Sequence, residues 1–164
     1  MPRLRPVAQE SAIPAAYASG PIGDLFRFQN LGFPLREVQQ AELLIGMCMD
    51  NRKSLRIPDN FAFILRTGGA NLRYSEFKVS YAVAVGGVRH IALIGHTECG
   101  MMNLAARQRA FVDGLVAAGW ERQAAQDHFL QFAPMFEIGN EVDFVVSEAK
   151  RLRDRYPRVT VAPL

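Results

Sequence analysis

The chain has 164 residues, enough for one domain with a sizeable core, and its 49% hydrophobic and 21% charged shares are those of an ordinary globular protein. A formal net charge of +3 is too small to point to nucleic acid, and no apolar run approaches the roughly eighteen residues of a membrane span. Only two cysteines occur and no secretory signal precedes them, which argues against a disulfide framework and for a reducing, cytoplasmic compartment.

Residues 1–35 hold Pro2, Pro6, Pro14, Pro21 and Pro34 and no sustained periodicity, which predicts an irregular N-terminal arm. Its apolar residues, among them Ile22, Leu25, Phe26 and Phe33, are too many for a disordered tail, so the arm is expected to lie on its own core or on a partner subunit. Residues 36–164 read as one α/β domain. Leu35 to Gln40 is patterned as a helix, and the apolar run Glu42–Cys48 as a strand buried on both faces. Asn60–Arg66 is a second such strand, closed by Thr67-Gly68-Gly69-Ala70-Asn71. Ser75 is placed to cap a helix from Phe77 to Val85 that stops at Gly86-Gly87, and His90–His96 is a third buried strand.

Met101 to Ala118 is predicted helical, with Leu104, Phe111 and Leu115 at helical spacing and Gly119 as the stop. A further helix runs from Glu121 to Phe132, ended by Pro134, with Trp120 as an anchoring aromatic at the junction. Asn140 caps a helix carrying Val142, Val145, Ala149 and Leu152 on one face; Tyr156-Pro157 breaks it, and Val159–Ala162 is a fourth strand. The basic cluster Lys150, Arg151, Arg153, Arg155 and Arg158 reads as a solvated helix face. Alternating strands and helices predict an α/β fold, a mostly parallel sheet of at least four strands with helices on both faces.

In such a sheet ligands bind beyond the carboxyl ends of the strands. Cys48 ends the first strand, and His96 and Cys99 follow the third. Two sulfurs and an imidazole suit Zn²⁺, and three protein ligands leave a tetrahedral ion one open position, the stoichiometry of catalytic zinc. A closed, structural zinc with a fourth protein ligand is the alternative, although His90 and His128 have no knuckle spacing and read as surface or packing histidines. Asp50, two residues past Cys48, can reach the same cleft, and Arg52 can hold its carboxylate in a bidentate pair. On spacing alone, that pair serves equally well as a turn-stabilising ion pair. Met101 and Met102 read as core filling.

Cys48-x-Asp50-x-Arg52 followed by His96-x-x-Cys99-Gly100 resembles the zinc signature of the beta-class carbonic anhydrases, and the likeness extends through Ser80–His96 over roughly residues 39–162. The resemblance implies a zinc lyase that reversibly hydrates CO₂ to bicarbonate and a proton. One Zn²⁺ per chain would be held by Cys48, His96 and Cys99, with Asp50 orienting the attacking zinc-bound hydroxide. In a closed state Asp50 would itself be a fourth ligand, drawn away by Arg52 on opening. It also implies substrate contacts from Gln39, supplied by the neighbouring subunit, and from Gly100. The assembly would be a homodimer or a dimer-based oligomer whose arms, residues 1–35, wrap the partner. Members with a regulatory bicarbonate pocket carry Trp where Ile45 stands here, so no such pocket is expected, although Arg66 matches that pocket's arginine. The rivals on the same scaffold are a hydrolase of carbonyl sulfide or carbon disulfide and a zinc-binding homologue without catalysis.

Overall fold

The computed structural model describes residues 4–164. Its centre is β1, Leu43–Cys48, six residues that are all buried. With no polar side chain among them, they offer no face to water and belong inside a parallel sheet. β2 (Ala62–Thr67), β3 (His90–Ile94) and β4 (Thr160–Pro163) complete four parallel strands in the order β2-β1-β3-β4. The register sets Cys48 opposite Thr67 and Met47 opposite Ile94, so the strands adjoining β1 end level with it.

Period-two alternation divides the strand residues between two apolar layers. Leu44, Ile91, Leu93 and Val161 pack with Val79 and Ala82 of α3 (Glu76–Ala84) and with Val145, Ala149 and Leu152 of α6 (Glu141–Arg155). Leu43, Ile45, Met47, Ala92 and Ala162 face the other way, against Phe61 and against Ile22 and Leu25 of the N-terminal segment. Gly46 lies where a Cβ would stand 2.9 Å from both Leu72 Cδ1 and Leu93 Cδ2, so a larger residue would have to displace those two leucine side chains.

Several expectations are corrected. The arm is not irregular throughout: within its described part, residues 4–35, a 3₁₀ turn at Glu10–Ala12 is followed by the single turn α1 (Ala15–Ala18) and by α2 (Pro21–Leu31). Pro21 opens α2 at a position where its missing N–H has no helical partner to lose. Residues 35–40 are not helical, because Gly32 ends α2 in the left-handed region and Pro34 follows; Leu35 and Val38 instead pack on the layer around Ile22. β2 is an edge strand with no fully buried residue, not a strand buried on both faces.

The helix expected from Met101 begins later. Residues 101–103 form a turn with Asn103 at φ +51°, followed by a 3₁₀ turn at Leu104–Arg107 and α4 (Gln108–Ala117). α5 (Arg122–Phe136) runs through Pro134, which sits in its last turn and forfeits a single helical bond. α4 and α5 form a hairpin in which His128 packs among the rings of Phe111, Trp120 and Phe132. Asn140 caps α6 as expected, its Oδ1 accepting from Asp143 N–H at 3.0 Å. The basic end of α6 is not simply solvated. Arg151 and Arg155 pair with Glu76, and Arg153 donates to Val161 O at 3.0 Å. Among the described residues no helix is long and apolar enough to cross a membrane.

Candidate metal centre

β1 delivers Cys48 to the carboxyl edge of the sheet, and the bend after β3 delivers His96 and Cys99 beside it. That bend is pinned by Gly95 N–H to Leu164 O at 2.9 Å and Leu164 N–H to Leu93 O at 2.7 Å. One donor atom from each of Cys48, His96 and Cys99 lies within 4.8 Å of the other two. The cysteines are free thiols with their sulfurs 3.8 Å apart. A disulfide requires about 2.05 Å, whereas two sulfurs on one tetrahedral zinc, each at about 2.3 Å, are about 3.8 Å apart.

His96 is oriented for ligation. Its Nδ1 lies 2.8 Å from Thr97 O and so carries the proton, which leaves the Nε2 lone pair free. Nε2 is buried and has no hydrogen-bond partner among the described residues. A buried imidazole nitrogen left unpaired is costly unless something not yet counted meets it.

The two thiols differ. Burial by itself would raise Cys48, but the His96 ring beside it, the backbone N–H groups of Asp50 and Gly69 and the Cys99 thiol together outweigh burial and lower its pKa. Cys99 is pushed up to about 11 by burial, reinforced by the charge on Cys48 beside it. The thiolate at Cys48 therefore forms more easily than the one at Cys99, whose charge is opposed by burial and by Cys48 beside it. The donor set thus fits a borderline-soft divalent ion, and the three residues could hold a metal.

Gly69 was not singled out by the sequence as part of the site. Its N–H points at Cys48 Sγ from 3.3 Å, and it does so at φ +63° with a Cβ position only 2.7 Å from Ile138 Cγ2. Gly68 is equally confined, with 2.7 Å between its Cβ position and Met101 Sδ. The signal in the sequence is a glycine pair directly after a strand that neighbours the cysteine strand, a mark of close backbone approach.

Asp50 and Arg52 form a close pair. Arg52 Nε lies 3.0 and 3.1 Å from the two carboxylate oxygens, Nη2 lies 2.6 Å from Oδ2, and the Arg52 backbone N–H adds a bond of 2.9 Å to Oδ1. These contacts hold the carboxyl well below the usual carboxylate range. Arg52 Nη2 also donates to Glu98 O at 3.0 Å, tying the loop after β1 to the loop after β3. Glu98 stands at φ +58° immediately before Cys99, and Cys99 N–H donates to Glu141 Oε1 at 3.4 Å. Asp50 stays outside the three-donor group, with Oδ2 3.9 Å from His96 Nε2.

The structure does not bring Gln39 to these donors within the chain. Gln39 precedes β1 whereas Cys48 ends it, and Gln39 lies exposed in a surface depression with Arg36 and Asn60. Gly100 sits in a turn beside Cys99, where a Cβ would meet open space. A cavity of about 330 Å³ borders His96 and Thr97 and is walled largely by Val142, Val145, Val146 and Leu164.

The sequence model of the carbonic anhydrase family matches residues 44–142, more than half of the chain and the stretch that holds all three donors. Solved structures with the same fold include a carbonic anhydrase from Glaciozyma antarctica, at 18% identity and TM-score 0.59 over 91% of this chain and 90% of that one. A carbonic anhydrase from Streptococcus mutans aligns at 17% identity and TM-score 0.54 over 85% of each chain. The apo form of a carbon disulfide hydrolase aligns at 16% identity and TM-score 0.52 over 86% of this chain and 79% of that one. At these identities the likeness establishes the fold alone. No curated protein matches the chain.

Proposed function

The chain belongs to the beta-class carbonic anhydrase family, and on that footing we propose that it reversibly hydrates CO₂ to bicarbonate and a proton with one zinc ion held by Cys48, His96 and Cys99. The observation that carries this reading is the convergence of two free thiols on an unpartnered, buried imidazole nitrogen. When bound, zinc supplies a Lewis acid that brings the pKa of water down to about 7.

The remaining work falls to the chain's own residues. Thr97 O holds the His96 imidazole with Nε2 forward, and Gly69 N–H supports the charge on Cys48. Asp50 is ionised throughout the neutral range because Arg52 grips it, so its carboxylate accepts an O–H and turns the oxygen lone pair toward CO₂. A carboxylate held that low is a poor base; it orients a proton without removing it, and the released proton leaves to solvent. Gly100, with open space on the side where a Cβ would stand, offers its backbone to substrate.

Gln39 serves, on this reading, in the site of a second copy of the chain, and residues 1–35 form the arm that embraces that copy. The buried free thiols fit a reducing, cytoplasmic compartment.

The test is stopped-flow hydration of CO₂ by zinc-loaded protein at neutral and mildly alkaline pH, run in parallel with carbonyl sulfide and carbon disulfide. Zinc-dependent CO₂ hydration is expected, and Asp50→Asn should lower kcat by about 10–100-fold while zinc stays bound. Turnover of the sulfur substrates with none of CO₂ would replace this reading with the hydrolase. No turnover of any of the three would leave a non-catalytic zinc protein.

A further inference from the structure

We propose that Arg66 is a positioning residue for this site, a clamp on the loop that carries Cys48, Asp50 and Arg52; the consequence for catalysis rests on the reading above. Arg66 is the penultimate residue of the edge strand β2, in register with Met47. Its place is exposed, and a solvated side chain would be the ordinary expectation. Instead the guanidinium turns along the end of β1. Nε donates to Cys48 O at 3.1 Å, and Nη2 donates to Asp50 O at 2.8 Å and to Lys53 O at 2.6 Å.

Those three carbonyls define the loop. After Met49 N–H bonds to Thr67 O at 2.9 Å, the ladder ends and the chain folds back, with Lys53 N–H on Asp50 O at 3.1 Å. Arg66 closes the open side of that turn. All three of these bonds go to backbone oxygen, so the guanidinium does not compete with Arg52 for the Asp50 carboxylate. A planar fork with fixed N–H directions can hold several carbonyls at once, whereas an ammonium presents only a point charge on a flexible stem.

The clamp acts in two directions. At Cys48 O it fixes the residue that bears a sulfur donor. At Asp50 O and Lys53 O it fixes the frame from which the Asp50 carboxylate is presented. The arginine that the family resemblance associates with a bicarbonate pocket thus has Nε and Nη2 engaged on the protein's own backbone.

The experiment compares zinc-loaded wild type with Arg66→Met and Arg66→Lys by hydrogen exchange, by zinc affinity in chelator competition, and by kcat and KM for CO₂. In Arg66→Met, exchange at the hydrogen-bonded amides of Met49, Arg52 and Lys53 should speed up about tenfold or more with α6 and β3 unchanged. Zinc affinity should fall by about 10–100-fold, and kcat should fall more than KM rises. Arg66→Lys should recover only part of each. Unchanged loop exchange and zinc affinity in Arg66→Met would overturn the proposal, as would acceleration spread evenly over the sheet or full recovery in Arg66→Lys. If the wild type does not hydrate CO₂ while loop exchange and zinc affinity respond as stated, the clamp stands and the catalytic reading falls.

Discussion

Cys48 is a better ligand than its burial alone would allow, and the Gly69 N–H is one reason. Gly69→Ala would place a side chain in the left-handed region, costing about 1–2 kcal/mol, and would drive a methyl into Ile138, whose Cγ2 lies 2.7 Å from the Cβ position. The N–H would swing off the sulfur. We expect zinc affinity to drop by about 10–100-fold with a smaller change in urea midpoint; wild-type zinc affinity would refute the role given to this N–H. The contrast with the ligands explains what a sequence discloses at this scale. Cys48, His96 and Cys99 are legible because sulfur and imidazole are the donors and each lies at or beyond the carboxyl end of a strand. The contacts that Gly69, Arg66 and Glu141 make are not, because one partner in each is backbone, and backbone N–H and C=O are present at every position.

At the scale of elements, α6 carries a carboxylate into the core. Glu148 is fully buried, accepting from Leu72 N–H at 3.2 Å and from Arg151 Nε and Nη2, both at 2.9 Å, with Arg73 Nε 3.4 Å away. It ties α6 to the turn between β2 and α3, and so to the layer beneath β1. Glu148→Ala leaves Arg151 half-buried without this partner and Leu72 N–H unmet, and unfolding by urea should register a loss of about 3–5 kcal/mol. A loss under about 1 kcal/mol would mean that the pair behaves as an ordinary surface bridge. Glu76, on α3, adds a pH dependence. Burial raises its carboxyl pKa, but hydrogen bonds from Arg151 and Tyr156 prevail and hold it below the usual value. A depressed folded value stabilises above the unfolded pKa and loses that effect as pH falls through the folded one. Glu76→Gln should therefore lower stability at neutral pH and flatten its acid limb in urea titrations. α6, with its Asn140 cap and apolar stripe, was readable in advance. α2 was not, since Pro21 reads equally as a breaker and as a helix opener, and burial against Leu43 and Ile45 decides the matter.

At the scale of the molecule, one surface is unfinished. β2 is an edge strand with Phe63 38% and Ile64 47% exposed, and the neighbouring α3 shows Phe77 at 81% and Tyr81 at 52%, with Val85 at 68% just past its end. Scattered exposed apolar residues are ordinary, whereas a run of them beside an unpaired strand edge marks an interface. The occupant consistent with Gln39, which its own chain keeps apart from its donors, is a second copy. The open edge itself is legible in the sequence only obliquely: Asn60–Arg66 is apolar enough to be a central strand, and only the strand order reveals that one side of it is open. Light scattering after gel filtration should give at least a dimer for the wild type and a smaller species for Phe77→Glu combined with Ile64→Lys. If Gln39 works across the interface, the smaller species should lose CO₂ hydration while keeping its zinc, and Gln39→Ala should lower activity in an assembly of unchanged size. A fully active monomer would defeat the reading, because a site complete within one chain has no need of a glutamine from another.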